Sequence, residues 1–115
     1  MARESDIRAK IVKALKNRGA RPIKYYGCVY TEAGVSDLLV CYRGLCLVIE
    51  TKVPGEHTTP KQDAFIESIH QSEGWGGPAS SVAEALEYLD EIDTLMGRSG
   101  TIREIISRGK FPDNT

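Results

Sequence analysis

The chain has 115 residues, of which 41% are hydrophobic and 27% charged, and its formal net charge is −1. This length and composition predict one globular domain with a core of its own. No apolar run exceeds five residues, whereas a membrane-spanning helix needs about 20 apolar residues, so no membrane partner is expected. The charged first residues are not followed by an apolar stretch, so we expect no secretory signal and a cytoplasmic protein.

The chain contains three cysteines, Cys28, Cys41 and Cys46. An odd number in a chain without a predicted secretory signal argues against a disulfide framework. The sequence also lacks a Cys-x-x-Cys or a closely spaced histidine pair, the spacings typical of zinc sites. We therefore predict three reduced thiols in the core.

Charge is unevenly distributed along the chain. Residues 1–30 contain eight Lys and Arg against two acidic residues, whereas residues 31–60 and 61–115 are both net negative. A basic N-terminal third is typical of a surface that meets phosphates. A solvated helix face is the alternative interpretation.

The pattern of apolar residues predicts the order helix, three strands, helix, strand, helix. The first helix covers residues 3–18, and strand-like runs cover residues 23–30, 36–42 and 45–53. A short strand is predicted near Ala79. The first helix has one apolar face, formed by Ile7, Ile11, Val12 and Leu15.

Two further helices begin at capping boxes, in which a hydroxyl residue is followed three positions later by Glu or Gln. Thr59 and Gln62 begin the second helix, and Ser81 and Glu84 begin a third that runs to about Met96. Gln62 also lies on the apolar face of its helix, so its amide is expected to point toward the sheet.

The domain organisation follows from these elements. Residues 1–96 hold all the predicted strands and the three long helices. Residues 97–115 are predicted to form a linker and a short amphipathic tail helix. Such a helix has to dock on its own domain or on a second subunit.

Charged side chains occupy the two most apolar predicted strands. These strands are joined only by Arg43-Gly44, and a two-residue turn determines which residues face each other. Asp37 then faces Glu50, and Lys52 lies on the same side of its strand as Glu50. A different turn would shift this pairing.

Two opposed carboxylates require a physical explanation, because like charges directly opposed on a sheet are destabilising. A single lysine does not neutralise both of them. A bound divalent cation is one solution, since carboxylate oxygens suit Mg²⁺. An ion network without metal is the other, although buried networks of this kind rarely improve stability over apolar residues.

Around this pair the sequence resembles a known family. The relevant residues are Glu4, Gly34-Val35-Ser36-Asp37, Glu50-Thr51-Lys52 and Gln62. With the order of elements, they resemble the PD-(D/E)XK nuclease superfamily, and within it the small stand-alone VRR-NUC domains common in bacteriophages. The resemblance covers the chain from residue 3 to about residue 95. One departure is Ser36, where the family usually has proline.

The resemblance implies an α/β, restriction-endonuclease-like core, in which a mixed sheet is flanked by helices, and a metal-dependent site. Asp37 and Glu50 would bind Mg²⁺ or Mn²⁺, together with the backbone carbonyl of Thr51. Glu4 would reach the metal directly or through a water molecule.

The resemblance also implies catalytic roles for two further residues. Lys52 would orient and activate the attacking water and stabilise charge on the phosphate. Gln62 would hold a water or the lysine. The basic N-terminal third would then face DNA, with candidate phosphate contacts at Arg3, Arg8, Lys10 and Lys13.

The function implied by the resemblance is hydrolysis of DNA phosphodiester bonds, with resolution of four-way (Holliday) junctions by a homodimer as the expected activity. A nuclease for flaps, nicks or plain duplex without junction preference is an alternative. A catalytically inert DNA-binding module with a nuclease fold is another. A small-molecule phosphohydrolase would need a deep pocket, which nothing in the sequence specifies.

Overall fold

Three helices and four strands form in the predicted order in the computed structural model, which describes residues 3–25 and 34–97. The predicted tail helix lies outside the described residues, as do residues 26–30 of the first predicted strand. The elements are α1 (Glu4–Asn17), β1 (Arg21–Lys24), β2 (Leu38–Tyr42), β3 (Leu45–Thr51), α2 (Pro60–Gln71), β4 (Trp75–Ala79) and α3 (Val82–Met96).

The four strands form one mixed sheet in the order β1-β2-β3-β4. The first three pair antiparallel, and β4 is parallel to β3. The parallel connection is made by α2, as a crossover of this kind requires. Strand β1 begins two residues earlier than predicted, because Pro22 lies on an edge strand, where proline is tolerated.

The hairpin between β2 and β3 has the predicted two-residue turn. Its turn residues have φ values of 52° and 84°, and two positive values are what a type I′ turn requires. The paired residues run from Tyr42 with Leu45 beside the turn to Leu38 with Ile49 at the far end. The predicted register is therefore confirmed, and it brings Asp37, the residue before β2, to the end of β3.

The main core lies between one face of the sheet and the helices α1 and α3. Its fully buried members include Ile11 and Leu15 of α1 and Leu89 of α3. Leu47 and Ile49 of β3 belong to this core, so alternation turns the residues between and after them, including Glu50, to the opposite face. Helix α2 covers that opposite face at the end of β3.

Asp93 of α3 anchors the turn of the hairpin. Its carboxylate accepts hydrogen bonds from the Tyr42 hydroxyl at 2.9 Å and from the guanidinium groups of Arg43 and Arg18 at 3.1 Å. Burial disfavours ionisation of Asp93, but these hydrogen bonds outweigh it and lower its pKa. The turn end of the hairpin is thus held against α3, and the candidate site lies at the opposite end.

Two of the three cysteines are placed differently from the prediction. Cys41 and Cys46 are exposed and free, so the prediction of core thiols is wrong for both. They lie on the face of the sheet opposite the main core, near the turn. Cys28 lies outside the described residues.

The helices of the described ranges differ from bilayer-spanning segments. None of them combines the length and the apolar character that crossing a membrane requires. Helix α3, the longest of the described helices, has 15 residues and carries acidic side chains along its exposed side.

Candidate functional site

Two carboxylates meet at the end of the hairpin opposite its turn. The backbone N–H of Asp37 donates to Glu50 Oε2 at 3.2 Å. The backbone N–H of Thr51 donates to Asp37 Oδ1 at 2.9 Å. Each carboxylate is therefore held by the main chain of the other strand, as the confirmed register requires.

Glu50 is nearly buried, with 5% of its surface exposed. Burial, followed by the negative charge of Asp37, raises its pKa to about 7. Lys52 and the backbone N–H of Asp37 act in the opposite direction, and the charge of Glu4 adds to the increase. The site therefore carries an energetic cost for holding two ionised carboxylates together, and a bound cation would relieve it.

Lys52 supplies one positive charge to this site. Its residue is 8% exposed, and Nζ lies 3.9 Å from Glu50 Oε1. The backbone N–H of Lys52 donates to the Ala79 carbonyl of β4 at 3.0 Å, which fixes the main chain below the amine. A buried ammonium beside a carboxylate is suited to stabilise a further negative charge in the same place.

Gln62 serves both the cap of α2 and the site. Its Oε1 accepts the Thr59 backbone N–H at 2.9 Å, and its own backbone N–H donates to the Thr59 hydroxyl at 3.2 Å. Its Nε2 donates to Glu50 Oε1 at 2.9 Å. The prediction that this amide points toward the sheet is confirmed, and so is the capping box.

Arg8 contacts the site, although the sequence analysis predicted for it only a contact with a DNA phosphate. Its Nη1 lies 3.0 Å from Asp37 Oδ2 and 3.7 Å from Glu4 Oε1. Arg8 is thus a second cation of the site, and its predicted contact with a DNA phosphate stays a prediction. A signal was present, because Glu4 and Arg8 are four residues apart and so share one side of a helix. We call Asp37, Glu50, Lys52, Gln62 and Arg8 the carboxylate site.

Glu4 stands at the edge of this site. Its side chain is 42% exposed, and the contact that brings it to the site is its ion pair with Arg8. A role at a metal, directly or through water, stays a prediction. Its position in the first turn of α1 is also favourable for a negative charge, because the N-terminal end of a helix carries a partial positive charge.

A groove lies between α1 and β1, next to the carboxylate site. It has a volume of about 410 Å³, and Arg8, Lys16 and Lys24 line it. Lys16 and Lys24 were not among the predicted DNA contacts. Of those that were, Arg3, Lys10 and Lys13 are exposed and do not line this groove.

The oxygen donors of the carboxylate site suit a hard divalent cation. Among residues 3–25 and 34–97, no group of three His, Cys, Asp or Glu side chains is arranged to hold a metal. Two carboxylates plus water is nevertheless a typical environment for Mg²⁺, which keeps several of its waters. Asp37 and Glu50 therefore fit such an ion, and ligation by the Thr51 carbonyl stays a prediction.

Two other concavities, of about 420 and 440 Å³, flank Trp75 on the side of α3. No residue of the carboxylate site lines either of them. Their polar groups are largely engaged within the protein, since the Trp75 indole donates to Glu91 at 2.7 Å and the Tyr88 hydroxyl donates to the Pro78 carbonyl at 2.7 Å. Both concavities therefore lie apart from the carboxylate site.

The geometry defines a class of site, in which paired carboxylates and a buried lysine at the end of a hairpin are joined by a glutamine from the following helix. No protein-family model matches the chain, and no curated protein matches its sequence. The chemistry of the site is therefore the basis of the proposed function.

Proposed function

We propose that the chain is a metal-dependent DNA endonuclease of the PD-(D/E)XK type, with a restriction-endonuclease-like core similar to the VRR-NUC domains. The observation that carries this proposal is the pairing of Asp37 with Glu50, in which the backbone N–H of Asp37 donates to Glu50 Oε2 at 3.2 Å, beside the buried amine of Lys52. The α/β fold, with its four-stranded mixed sheet between helices, is compatible with this core.

Asp37 and Glu50 would hold Mg²⁺ or Mn²⁺, with the Thr51 carbonyl as a further ligand and Glu4 acting directly or through water. When bound, such an ion acidifies a water molecule and acts as a Lewis acid on a phosphoryl oxygen. The pKa of Glu50 is raised to about 7, so near neutral pH a cation has to displace the proton of this carboxyl group in order to bind it. Metal affinity is therefore expected to rise with pH.

The other residues of the site orient these groups and offset charge. Gln62 and the Thr51 N–H fix the two carboxylates by hydrogen bonds, the role that outer hydrogen bonds play for metal ligands in general. The ammonium of Lys52, 3.9 Å from Glu50 Oε1, would stabilise the negative charge that develops on the phosphate, because a preorganised charge lowers the barrier. Lys52 would also orient the attacking water.

DNA would approach over α1. The groove lined by Arg8, Lys16 and Lys24 leads to Asp37, and the exposed Lys13 extends the positive surface along the helix. Arg3 immediately precedes α1 and Lys10 lies on another side of that helix, and both would contact more distant phosphates. Such contacts position a substrate without reading its sequence.

Resolution of four-way junctions by a homodimer is the activity we propose. Two matched cuts require two sites related by a two-fold axis, and the predicted tail helix would contribute to the contact between the two subunits. The proposed place of action is the cytoplasm, or the host cytoplasm for a phage protein. A nuclease for flaps, nicks or duplex would use the same chemistry.

A second candidate function is an inert DNA-binding module. The observation in its favour is the ion pair of Arg8 with Asp37, at 3.0 Å, which neutralises part of the site without metal. The proposal of catalysis instead depends on all of Asp37, Glu50 and Lys52, because a buried ion network of this kind rarely improves stability over apolar residues.

Cleavage of an end-labelled four-way junction tests these functions, with linear duplex and flap of matched sequence, in Mg²⁺ or Mn²⁺. The variant is Asp37→Asn, and Glu67→Gln on the exposed side of α2 is the matched control. Paired symmetrical nicks on the junction, lost only in Asp37→Asn, support a resolvase. Equal cutting of all three substrates supports a general nuclease, and tight binding without cutting supports the inert module.

A further inference from the structure

The guanidinium of Arg8 contacts the carboxylate that a metal would need. Arg8 Nη1 lies 3.0 Å from Asp37 Oδ2, and the other oxygen of Asp37 accepts the Thr51 N–H. Both oxygens of Asp37 therefore already have a donor. The side chains of Arg8 and Asp37 are only 16% and 17% exposed, so solvent weakens this ion pair less than it weakens a surface pair.

A divalent cation on Asp37 would compete with this contact. A cation and a guanidinium that share one carboxylate lie about 4–5 Å apart, and like charges at that distance repel each other strongly in a half-buried site. Arg8 therefore either weakens metal binding permanently or leaves Asp37 when the metal arrives. Arg8 can leave Asp37 without movement of α1, because its long side chain has several rotatable bonds.

The groove offers Arg8 another position. Arg8 lines both the carboxylate site and the groove, where Lys16 and Lys24 supply further positive charge. A phosphate lying in the groove could accept two parallel hydrogen bonds from the planar guanidinium, a geometry that lysine does not offer. The groove and the site therefore compete for the same side chain.

We propose that Arg8 is an exchanging counter-ion: it neutralises Asp37 until a divalent cation binds, and it then turns into the groove to hold a phosphate of the substrate. This inference rests on the proposed nuclease function and specifies how metal and substrate binding are coupled at that site. The coupling makes the metal-free protein a weak phosphate binder at this position and the metal-loaded protein a stronger one.

Calorimetric titration with Mn²⁺, in the absence of DNA, tests the first half of this proposal. The variant is Arg8→Gln, and the matched control is Lys10→Gln, which removes a positive charge from the same helix about 160° away around its axis. We expect Arg8→Gln to bind Mn²⁺ about tenfold more tightly, because the competing charge-assisted hydrogen bond is gone. Lys10→Gln is expected to bind like the wild type.

Cleavage kinetics at saturating Mn²⁺ test the second half. We expect Arg8→Gln to cut about tenfold or more slowly and with a higher KM for DNA, since a charged contact to the phosphate is lost. Compared with Arg8→Gln, Arg8→Lys is expected to recover part of the cleavage rate and to bind Mn²⁺ less tightly. Tighter metal binding combined with slower cutting distinguishes this role from a merely structural one, which would weaken both.

Two results would overturn the proposal in different ways. If the wild type binds Mn²⁺ and cuts DNA, but Arg8→Gln shows unchanged or weaker Mn²⁺ affinity, Arg8 does not exchange and the nuclease function still stands. If neither the wild type nor any variant binds Mn²⁺ or cuts DNA, the proposed function fails together with this inference.

Discussion

The side chain of Gln62 hydrogen-bonds to Glu50, with 2.9 Å between Nε2 and Oε1. The oxygen of the same amide accepts the backbone N–H of Thr59 at 2.9 Å. One side chain therefore both caps α2 and fixes a carboxylate of the site. The cap positions the amide, and the amide in turn determines how Glu50 presents its oxygens.

Replacing Gln62 with Glu should separate these two roles. A glutamate still accepts the Thr59 N–H, as in other capping boxes, but it presents a second negative charge to Glu50 instead of a donor. We expect Gln62→Glu to lower the free energy of unfolding by about 2 kcal/mol at mildly alkaline pH. In mild acid, where Glu50 is protonated, most of this loss should disappear.

Urea unfolding at the two pH values measures this effect, with Thr59→Ala as the control. Thr59→Ala removes the hydroxyl cap and should cost about 1 kcal/mol at both pH values, because it leaves the charges of the site unchanged. A loss in Gln62→Glu that does not vary with pH would contradict the predicted repulsion.

The raised pKa of Glu50 predicts how stability varies with pH. Because its pKa is about 7 in the folded protein against an ordinary 4.5, the folded state binds the proton more tightly than the unfolded state. The protonated form of Glu50 therefore stabilises the folded protein fully at pH values below the ordinary pKa of 4.5. This stabilisation is lost as the pH rises to about 7. We expect this loss to amount to about 3 kcal/mol in the metal-free protein.

The variant Glu50→Gln should remove this pH dependence. It is expected to be more stable than the wild type at mildly alkaline pH without metal, and to gain nothing from Mg²⁺. Denaturant titrations across the pH range, with and without Mg²⁺, make the comparison, and Glu67→Gln on the exposed side of α2 should follow the wild type. Parallel pH profiles for the wild type and Glu50→Gln would show that Glu50 ionises normally.

The groove between α1 and β1 predicts which lysines meet the DNA backbone. Each phosphate contact that is removed should weaken binding at low salt and lower the salt dependence of the binding constant by about one unit of slope. We expect this result for Lys16→Gln, which changes a residue lining the groove. Lys61→Gln, which removes a positive charge from the exposed surface of α2, should change the slope much less.

Fluorescence anisotropy with a labelled junction measures these slopes, in metal-free buffer so that no cutting occurs. Lys24→Gln provides an independent replacement from β1 on the other wall of the groove. Equal slopes for Lys61→Gln and Lys16→Gln would mean that the DNA does not follow the groove.

Gly34 controls how closely the loop before Asp37 approaches α2. It has φ of 81°, and a Cβ there would collide with the backbone carbonyl of Lys61. Gly55 has a similar φ of 90°, but a Cβ there meets nothing within 4 Å. Alanine at Gly55 should therefore cost only the backbone strain, about 1 kcal/mol.

Alanine at Gly34 should cost about 2 kcal/mol more, because the helix start has to move away from the loop. The same displacement separates Gln62 from Glu50, so cleavage should also fall in Gly34→Ala and not in Gly55→Ala. Urea unfolding and cleavage rates, compared between the two variants, measure the difference. Equal stability losses would show that α2 adjusts without cost.

Cys41 and Cys46 face each other across the hairpin, and both are exposed. In a two-residue hairpin the pair beside the turn exchanges both hydrogen bonds, so the next pair is non-hydrogen-bonded, with Cα atoms about 4.5 Å apart. This separation lies within the range that a disulfide bridges. We expect oxidised glutathione to form a Cys41–Cys46 disulfide, with release of two reduced glutathione molecules.

Peptide mapping by mass spectrometry identifies that bond. Cys41→Ser and Cys46→Ser should each stop at a mixed disulfide with glutathione on the remaining cysteine of the pair. A wild-type protein that carries only mixed disulfides would mean that the two sulfur atoms cannot reach each other.

Much of the fold could be predicted because its signals are local. A two-residue turn at Arg43-Gly44 leaves one pairing of the flanking strands, so the approach of Asp37 to Glu50 followed from counting residues. The cap at Thr59 and Gln62 likewise involves residues three positions apart. Such features depend on a few neighbouring residues, whose identity and spacing can be read directly from the sequence.

The positions of Arg8 and the cysteines depended on distant contacts. Arg8 and Asp37 are 29 residues apart, and their meeting is determined by how the apolar face of α1 packs on the sheet. The exposure of Cys41 and Cys46 depends on how far α2 extends over the second face. An apolar strand pattern predicts burial without specifying which face receives a helix.

The sequence by itself therefore determined the order of the elements, the register of the hairpin and the pairing of the two carboxylates. The tertiary structure decided which charges surround that pair, because the packing of α1 brings Arg8 to Asp37 and the packing of α2 brings Gln62 to Glu50. The physical reason is that turns and caps are short-range geometry, whereas the environment of a buried carboxylate is the sum of contacts from elements far apart in the chain.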